Sequence, residues 1–136
     1  MKFLFEWTPK ISVGDETIDK QHQKLLGQVN TLLSAVVSGL NDQTTLEAVA
    51  FLDTYITDHL LYEEKYMKEH NFPDIENHIK MHRDFIEHYK IFKDNLTKGV
   101  SKEILALDIE QYIGNWWIEH IGIADKQYAL FIQGQK

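Results

Sequence analysis

Apolar residues recur along this chain with the period of a helix. The first stripe runs Ile18, Leu25/Leu26, Val29, Leu32/Leu33 and Val36, with His22 in the same register, and it stops before Gly39. A second opens near Thr44/Thr45, good capping residues, and continues through Leu46, Val49, Leu52, Ile56, His59/Leu60, Glu63 and Tyr66/Met67. The segment Asn71-Phe72-Pro73-Asp74 breaks the pattern. The third stripe is Ile75, His78/Ile79, His82, Phe85/Ile86, Tyr89, Phe92 and Leu96, ending at Gly99. Ser101, with Glu103 in the first turn, opens a fourth that carries Leu105, Ile109, Tyr112/Ile113, Trp116/Trp117 and His120.

Residues 1–17 hold Trp7, Pro9 and Gly14 without sustained periodicity and read as an extended arm and turn. After His120, residues 121–136 contain a further short helical pattern. No run of alternating β-branched residues competes, and short connections favour antiparallel neighbours. The expected fold is all-α: an up-and-down antiparallel four-helix bundle over 18–120, with the N-terminal arm and a short C-terminal helical segment. At 136 residues and 43% hydrophobic content, one domain with one core is expected.

Polar residues intrude on these stripes at particular places. His22, His59 with Glu63, His78 with His82, and His120 with Asp125 make seven side chains suited to a transition metal. Positions four apart on a helix differ by only about 40° and lie about 5–6 Å apart at Cβ. His59 and Glu63, and likewise His78 and His82, can therefore reach one centre from one face. The five-residue step from His120 to Asp125 turns through about 500°, leaving Asp125 about 140° off that face on a regular helix. The helix must end or distort between them, and Gly122 is the residue that would permit it.

In an up-down bundle these positions fall at one end: early in the first and third helices, late in the second and fourth. A lone histidine on an apolar stripe is more often a hydrogen-bonded core residue than a ligand. Four helices doing this at one level shift the balance, and Glu63 adds weight because no Lys or Arg shares its stripe. Burying it unpaired would cost several kcal/mol, which a bound cation resolves. His70, beside the chain break, and His88, about 240° around the helix from His82, read as solvated surface histidines. Asp19 reads as a helix N-terminal charge or an outer hydrogen-bond partner of the site. Tyr62, Tyr66 and Tyr112 are candidates for hydrogen bonds near the metals or for core packing.

Composition narrows the chemistry. A net charge of −7 would repel a phosphate backbone, so nucleic acid is not an expected partner. The absence of cysteine removes disulfides, thiolate catalysis and Fe–S clusters, so any metal is held by nitrogen and oxygen. An acidic Glu6 interrupts the N-terminal apolar residues too early for a secretory segment, and no run of about 18 apolar residues exists for a membrane span. A cytoplasmic monomer is expected.

Nitrogen and oxygen ligation fits iron, manganese, zinc or copper. Four ligands satisfy a structural zinc, whereas seven suit two irons that share bridging carboxylates. The Glu-x-x-His pairs of ferritin-like di-iron bundles are absent, since none of the eleven glutamates has a histidine three residues on.

The ordered set His22, His59-x3-Glu63, His78-x3-His82, His120-x4-Asp125 resembles the hemerythrin family over essentially the whole chain, as do Trp7, Val13 and Ile18-Asp-Lys-Gln-His22. The resemblance implies a non-haem di-iron centre with a hydroxide or oxide bridge that binds O2 reversibly. His78, His82 and His120 would hold one iron. His22 and His59 would hold the second and leave it an open position, with Glu63 and Asp125 bridging the pair. Apolar walls would keep out water and protons, and Leu25, Ile113, Trp116 and Trp117 are the candidates for an O2 pocket.

The expected function is an oxygen carrier or store, not an enzyme, handing O2 to an oxygen-consuming enzyme. The chain closes soon after its last helical pattern, which favours carriage over sensing. An O2, nitric oxide or redox sensor, or a peroxidase or nitric oxide reductase, is the alternative.

Overall fold

The computed structural model describes residues 5–38 and 42–134. Three long helices come first: α1 (Glu16–Ser38), α2 (Asp42–Glu69) and α3 (Ile75–Thr97). A fourth rod follows, made of α4 (Lys102–Asp108), α5 (Asn115–Glu119) and α6 (Lys126–Gln133) joined in line by two π-helical turns, Ile109–Gly114 and His120–Asp125. α1 packs against α2 and α4, and α3 packs against the same two, which closes the up-and-down square that the four stripes predict.

Local chemistry explains the boundaries. Asp15 caps α1 by accepting from the Ile18 amide at 3.0 Å, so the helix opens slightly ahead of its apolar stripe. Asp19 lies in the first turn of α1, the expected N-terminal charge, and its carboxylate also accepts from the Ser12 hydroxyl at 2.5 Å and the Val13 amide at 2.9 Å, binding the arm to α1. α2 ends where Asn71 takes a left-handed φ of 57°, a conformation asparagine tolerates better than most residues. Gly99, at φ 78°, closes α3, and Ser101 caps α4 through the Ile104 amide.

The fourth rod does not end at Gly122. It widens: in a π turn the backbone bonds to the fifth residue on, so residues five apart lie one turn apart on the same side. His120 and Asp125 are the first and last residues of such a turn, and both are buried. The first π turn has a related effect on packing. Leu105, Ile109, Ile113 and Trp117 are all buried and step by fours, which on a regular helix drifts by about 40° per step; a wide turn resets the drift.

The arm is packed rather than free. Asn30 clamps the Phe5 backbone in both directions, at 3.1 and 3.2 Å, and the Phe5 ring occupies the space where a side chain at Gly114 would stand. A short 3-10 turn, Pro9–Ile11, brings Ile11 against Gly122 of the second π turn.

Two apolar clusters fill the bundle. The larger includes Leu25, Leu60, Phe85, Trp117 and Ile121; the smaller, toward one end, gathers Val13, Ile18, Met67, Phe72, Tyr128 and Ile132. His22, Glu63, His78, His82 and Asp125 lie between them in their helices, while His59 and His120 are flanked by residues of the larger cluster, so a polar layer is enclosed by dry packing on both sides. Among the described residues no helix is long and apolar enough to cross a membrane.

Candidate metal centre

All seven side chains predicted to converge do so. His22, His59, Glu63, His78, His82, His120 and Asp125 are each no more than 5% exposed. Glu63, His78, His82, His120 and Asp125 offer ligand atoms that all lie within 4.8 Å of one another, and His22, His59 and Glu63 form a second such group. Helical spacing accounts for the pairs on α2 and α3, and the second π turn accounts for His120 with Asp125.

The carboxylates divide their oxygens between the two groups. Glu63 turns Oε1 toward Nε2 of His82 (3.1 Å) and His78 (3.5 Å), and Oε2 toward Nε2 of His22 (3.1 Å) and His59 (3.4 Å). Asp125 turns Oδ1 toward Nε2 of His78 (3.0 Å) and His120 (3.1 Å), and Oδ2 toward His22 (3.2 Å). Nε2 of His82 and of His120 stand 3.1 Å apart. Donor atoms at right angles about a first-row cation, each about 2.0–2.1 Å from it, are about 3 Å from one another. The observed separations therefore suit cations lying among the donors.

Electrostatics and hydrogen bonding make the same case for positive charge. Burial pushes the Glu63 carboxyl up, but His59, His22 and His78 outweigh it and hold it well below the usual range. Burial and Glu63 likewise oppose charge on Asp125, yet His120 and His22 keep it low. Burial disfavours a proton on His22 and His78, while Asp125 and Glu63 raise both to about 9. Even so, Glu63 Oε1, both Asp125 oxygens and Nε2 of His59 and His78 are buried without a hydrogen-bond partner. Such atoms are costly unless something binds them, and cations would. The donor set of five imidazoles and two carboxylates fits two first-row metal ions.

Neighbouring groups orient the imidazoles. Glu64 accepts from Nδ1 of His82 at 2.8 Å, and the Gln21 amide oxygen accepts from Nδ1 of His59 at 2.7 Å, leaving each Nε2 lone pair for the centre. Trp116 stacks on His120, and the Trp117 ring lies 5.8 Å from that of His59. Leu25, Ile113 and Trp117 are fully buried in the larger cluster, whereas Trp116 is partly exposed.

Three of these neighbours, Gln21, Glu64 and Tyr128, escaped the sequence reading. The phenol beside the site is Tyr128, which donates to Glu63 Oε2 at 3.0 Å. Of the tyrosines that are candidates for this place or for core packing, Tyr62 is 40% exposed, while Tyr66 and Tyr112 pack against the apolar clusters, the first edge-on to Tyr128 and the second stacked on His88. His88 is no solvated surface group either: it bonds Asp108 at 2.6 Å and its ring lies 3.5 Å from that of Tyr112. His70 also has a protein partner, the Tyr66 carbonyl, at 2.9 Å from Nδ1. Tyr128 stands one helical turn past Asp125 and Glu64 is adjacent to Glu63, which are the signals that could have pointed to them.

Comparison with known proteins gives the family. Residues 13–130 match the model of the hemerythrin HHE cation binding domain. A bacteriohemerythrin of Stenotrophomonas maltophilia is 25% identical over 93% of this chain and 80% of its own. A myohemerythrin of Theromyzon tessulatum is 29% identical over 91% of this chain and 90% of its own, and a hemerythrin-like protein of Naegleria gruberi 27% over the same shares. With its family match spanning nearly the whole bundle, the chain belongs to the hemerythrin family.

Proposed function

We infer that this chain binds dioxygen reversibly at a centre of two irons and serves as an oxygen carrier or store in the cytoplasm. Family membership carries the coarser part, oxygen binding at a non-haem di-iron site. What supports two metal positions is the division of the carboxylate oxygens, one from each carboxylate facing each histidine group.

On this reading His78, His82 and His120, which Glu63 Oε1 and Asp125 Oδ1 face, would hold one iron. His22 and His59, on the side of Glu63 Oε2 and Asp125 Oδ2, would hold the other. The His22/His59 side offers one histidine fewer, and that difference supports placing the exogenous ligand there. When bound, two irons would supply the reversible redox chemistry that dioxygen binding needs. The protein keeps both carboxylates ionised in a dry layer, fixes two imidazoles through Gln21 and Glu64, and limits access of water with Leu25, Ile113 and Trp117. The side chains named here bind, orient and exclude water, which supports binding rather than turnover.

Anaerobic reduction followed by O2 titration, watched in the visible and with iron counted per chain, tests the assignment. Two irons and an oxygenated spectrum that reverses under vacuum are expected. Zinc, a single iron, or prompt irreversible conversion to the ferric form would overturn it.

A further inference from the structure

Glu63 and Asp125 present four oxygens to the centre, and these are not equivalent. Glu63 Oε1 and both Asp125 oxygens have no hydrogen-bond partner, whereas Glu63 Oε2 accepts from the Tyr128 hydroxyl at 3.0 Å. Both residues are fully buried, so water does not compete for this bond. Oε2 is also the oxygen turned toward His22 and His59.

We propose that Tyr128 is a positioning residue that holds Glu63 and makes the metal on the His22/His59 side more electron-poor than its neighbour. This rests on the two-iron reading above. A hydroxyl donating to a carboxylate oxygen draws negative charge onto the new bond and away from any cation sharing that oxygen. The same bond fixes the carboxylate's rotation, because Oε2 cannot turn toward His78 and His82 without breaking it. An iron so deprived of charge loses an electron less readily, so the bond guards the ferrous state on the side that has the fewer protein ligands. Tyr128 follows Asp125 on the same rod. The last helical stretch thereby supplies one carboxylate and holds the other.

The test is Tyr128→Phe in the full iron-loaded chain, read by redox titration and Mössbauer spectroscopy. The expected result is a lower ferric/ferrous potential, a changed quadrupole splitting at one iron with the other unaltered, and oxidation in air faster by on the order of tenfold, the lower end for losing an outer hydrogen bond at a metal site. An unchanged potential, or equal change at both irons, overturns the proposal. If Tyr128→Phe fails to fold, 3-fluorotyrosine at position 128 decides, because its stronger donor should move the potential up; no movement or a fall counts against it. Should wild-type protein itself fail to take up two irons, the metal reading falls and this inference with it. A wild-type chain that loads two irons and a variant indistinguishable from it overturn the inference alone.

Discussion

Trp116 lies flat on His120, with ring centroids 4.2 Å apart and planes within 10° of parallel. The indole is itself backed by Phe85, 4.4 Å away. Since His120 has no hydrogen-bonded carboxylate or amide behind it of the kind seen for His59 and His82 among the contacts described, the stacked ring is its support. Replacing Trp116 with Leu should lower stability by about 1–3 kcal/mol and weaken iron retention by roughly tenfold. Urea denaturation and chelator competition measure the two effects.

Two histidine substitutions separate the site from the rest of the bundle. His59→Ala should abolish O2 binding, whereas His88→Ala should keep two irons and the oxygenated spectrum. The latter variant still loses the hydrogen bond to Asp108 and the stacking on Tyr112, so about 1 kcal/mol of stability should go with it.

Glu64 is 23% exposed and reaches the centre through His82. Glu64→Ala should leave the fold unaltered by circular dichroism while lowering iron affinity on the order of 10–100-fold, because His82 loses the acceptor that fixes its ring. Unaltered iron retention would remove Glu64 from the account.

At Gly114 the missing side chain makes room for Phe5. Gly114→Ala should cost about 1–3 kcal/mol by driving that ring out. In a Phe5→Ala background the same substitution should cost much less, and the difference in a double-mutant cycle reports the contact.

Alkaline pH probes the core away from the metals. Burial pushes the Tyr89 phenol well above its ordinary value, with Asp53 adding to the rise, and its hydroxyl donates to the Val49 carbonyl at 3.1 Å. A raised folded-state pKa means the stability is complete below about pH 10 and is lost as pH climbs through that value. Tyr89→Phe should therefore be about 1 kcal/mol less stable at neutral pH yet fall less steeply above pH 10. Urea titrations at pH 7, 10 and 11 give the comparison.

His59 with Glu63 and His78 with His82 were legible in the sequence because both members of each pair share one regular helix, where spacing fixes direction. His120 with Asp125 was half legible: arithmetic required a distortion, but a broken helix and a widened one satisfy it equally. The Gln21–His59 and Glu64–His82 bonds cross between helices and depend on how the rods are rotated, which periodicity does not encode. His88 was misread for the same reason, its partners Asp108 and Tyr112 lying on a different rod. Tyr128 lay beyond the widened turn, where helical bookkeeping from His120 no longer applied.

That turn is a phase shift as well as a ligand device. Each residue added to a helix rotates all that follows by about 100°, so the wide turn at His120–Asp125 also chooses which side of α6 faces inward. Tyr128, Ala129 and Ile132 are buried on that choice, while Leu130 is 66% exposed. Deleting one residue between His120 and Asp125 would restore a regular helix with both ligands still near one face, yet it would turn the phenol, and the buried face of α6, away from the centre. The number of residues in that interval is thus a structural quantity in its own right, as binding on this chain as the identity of its ligands.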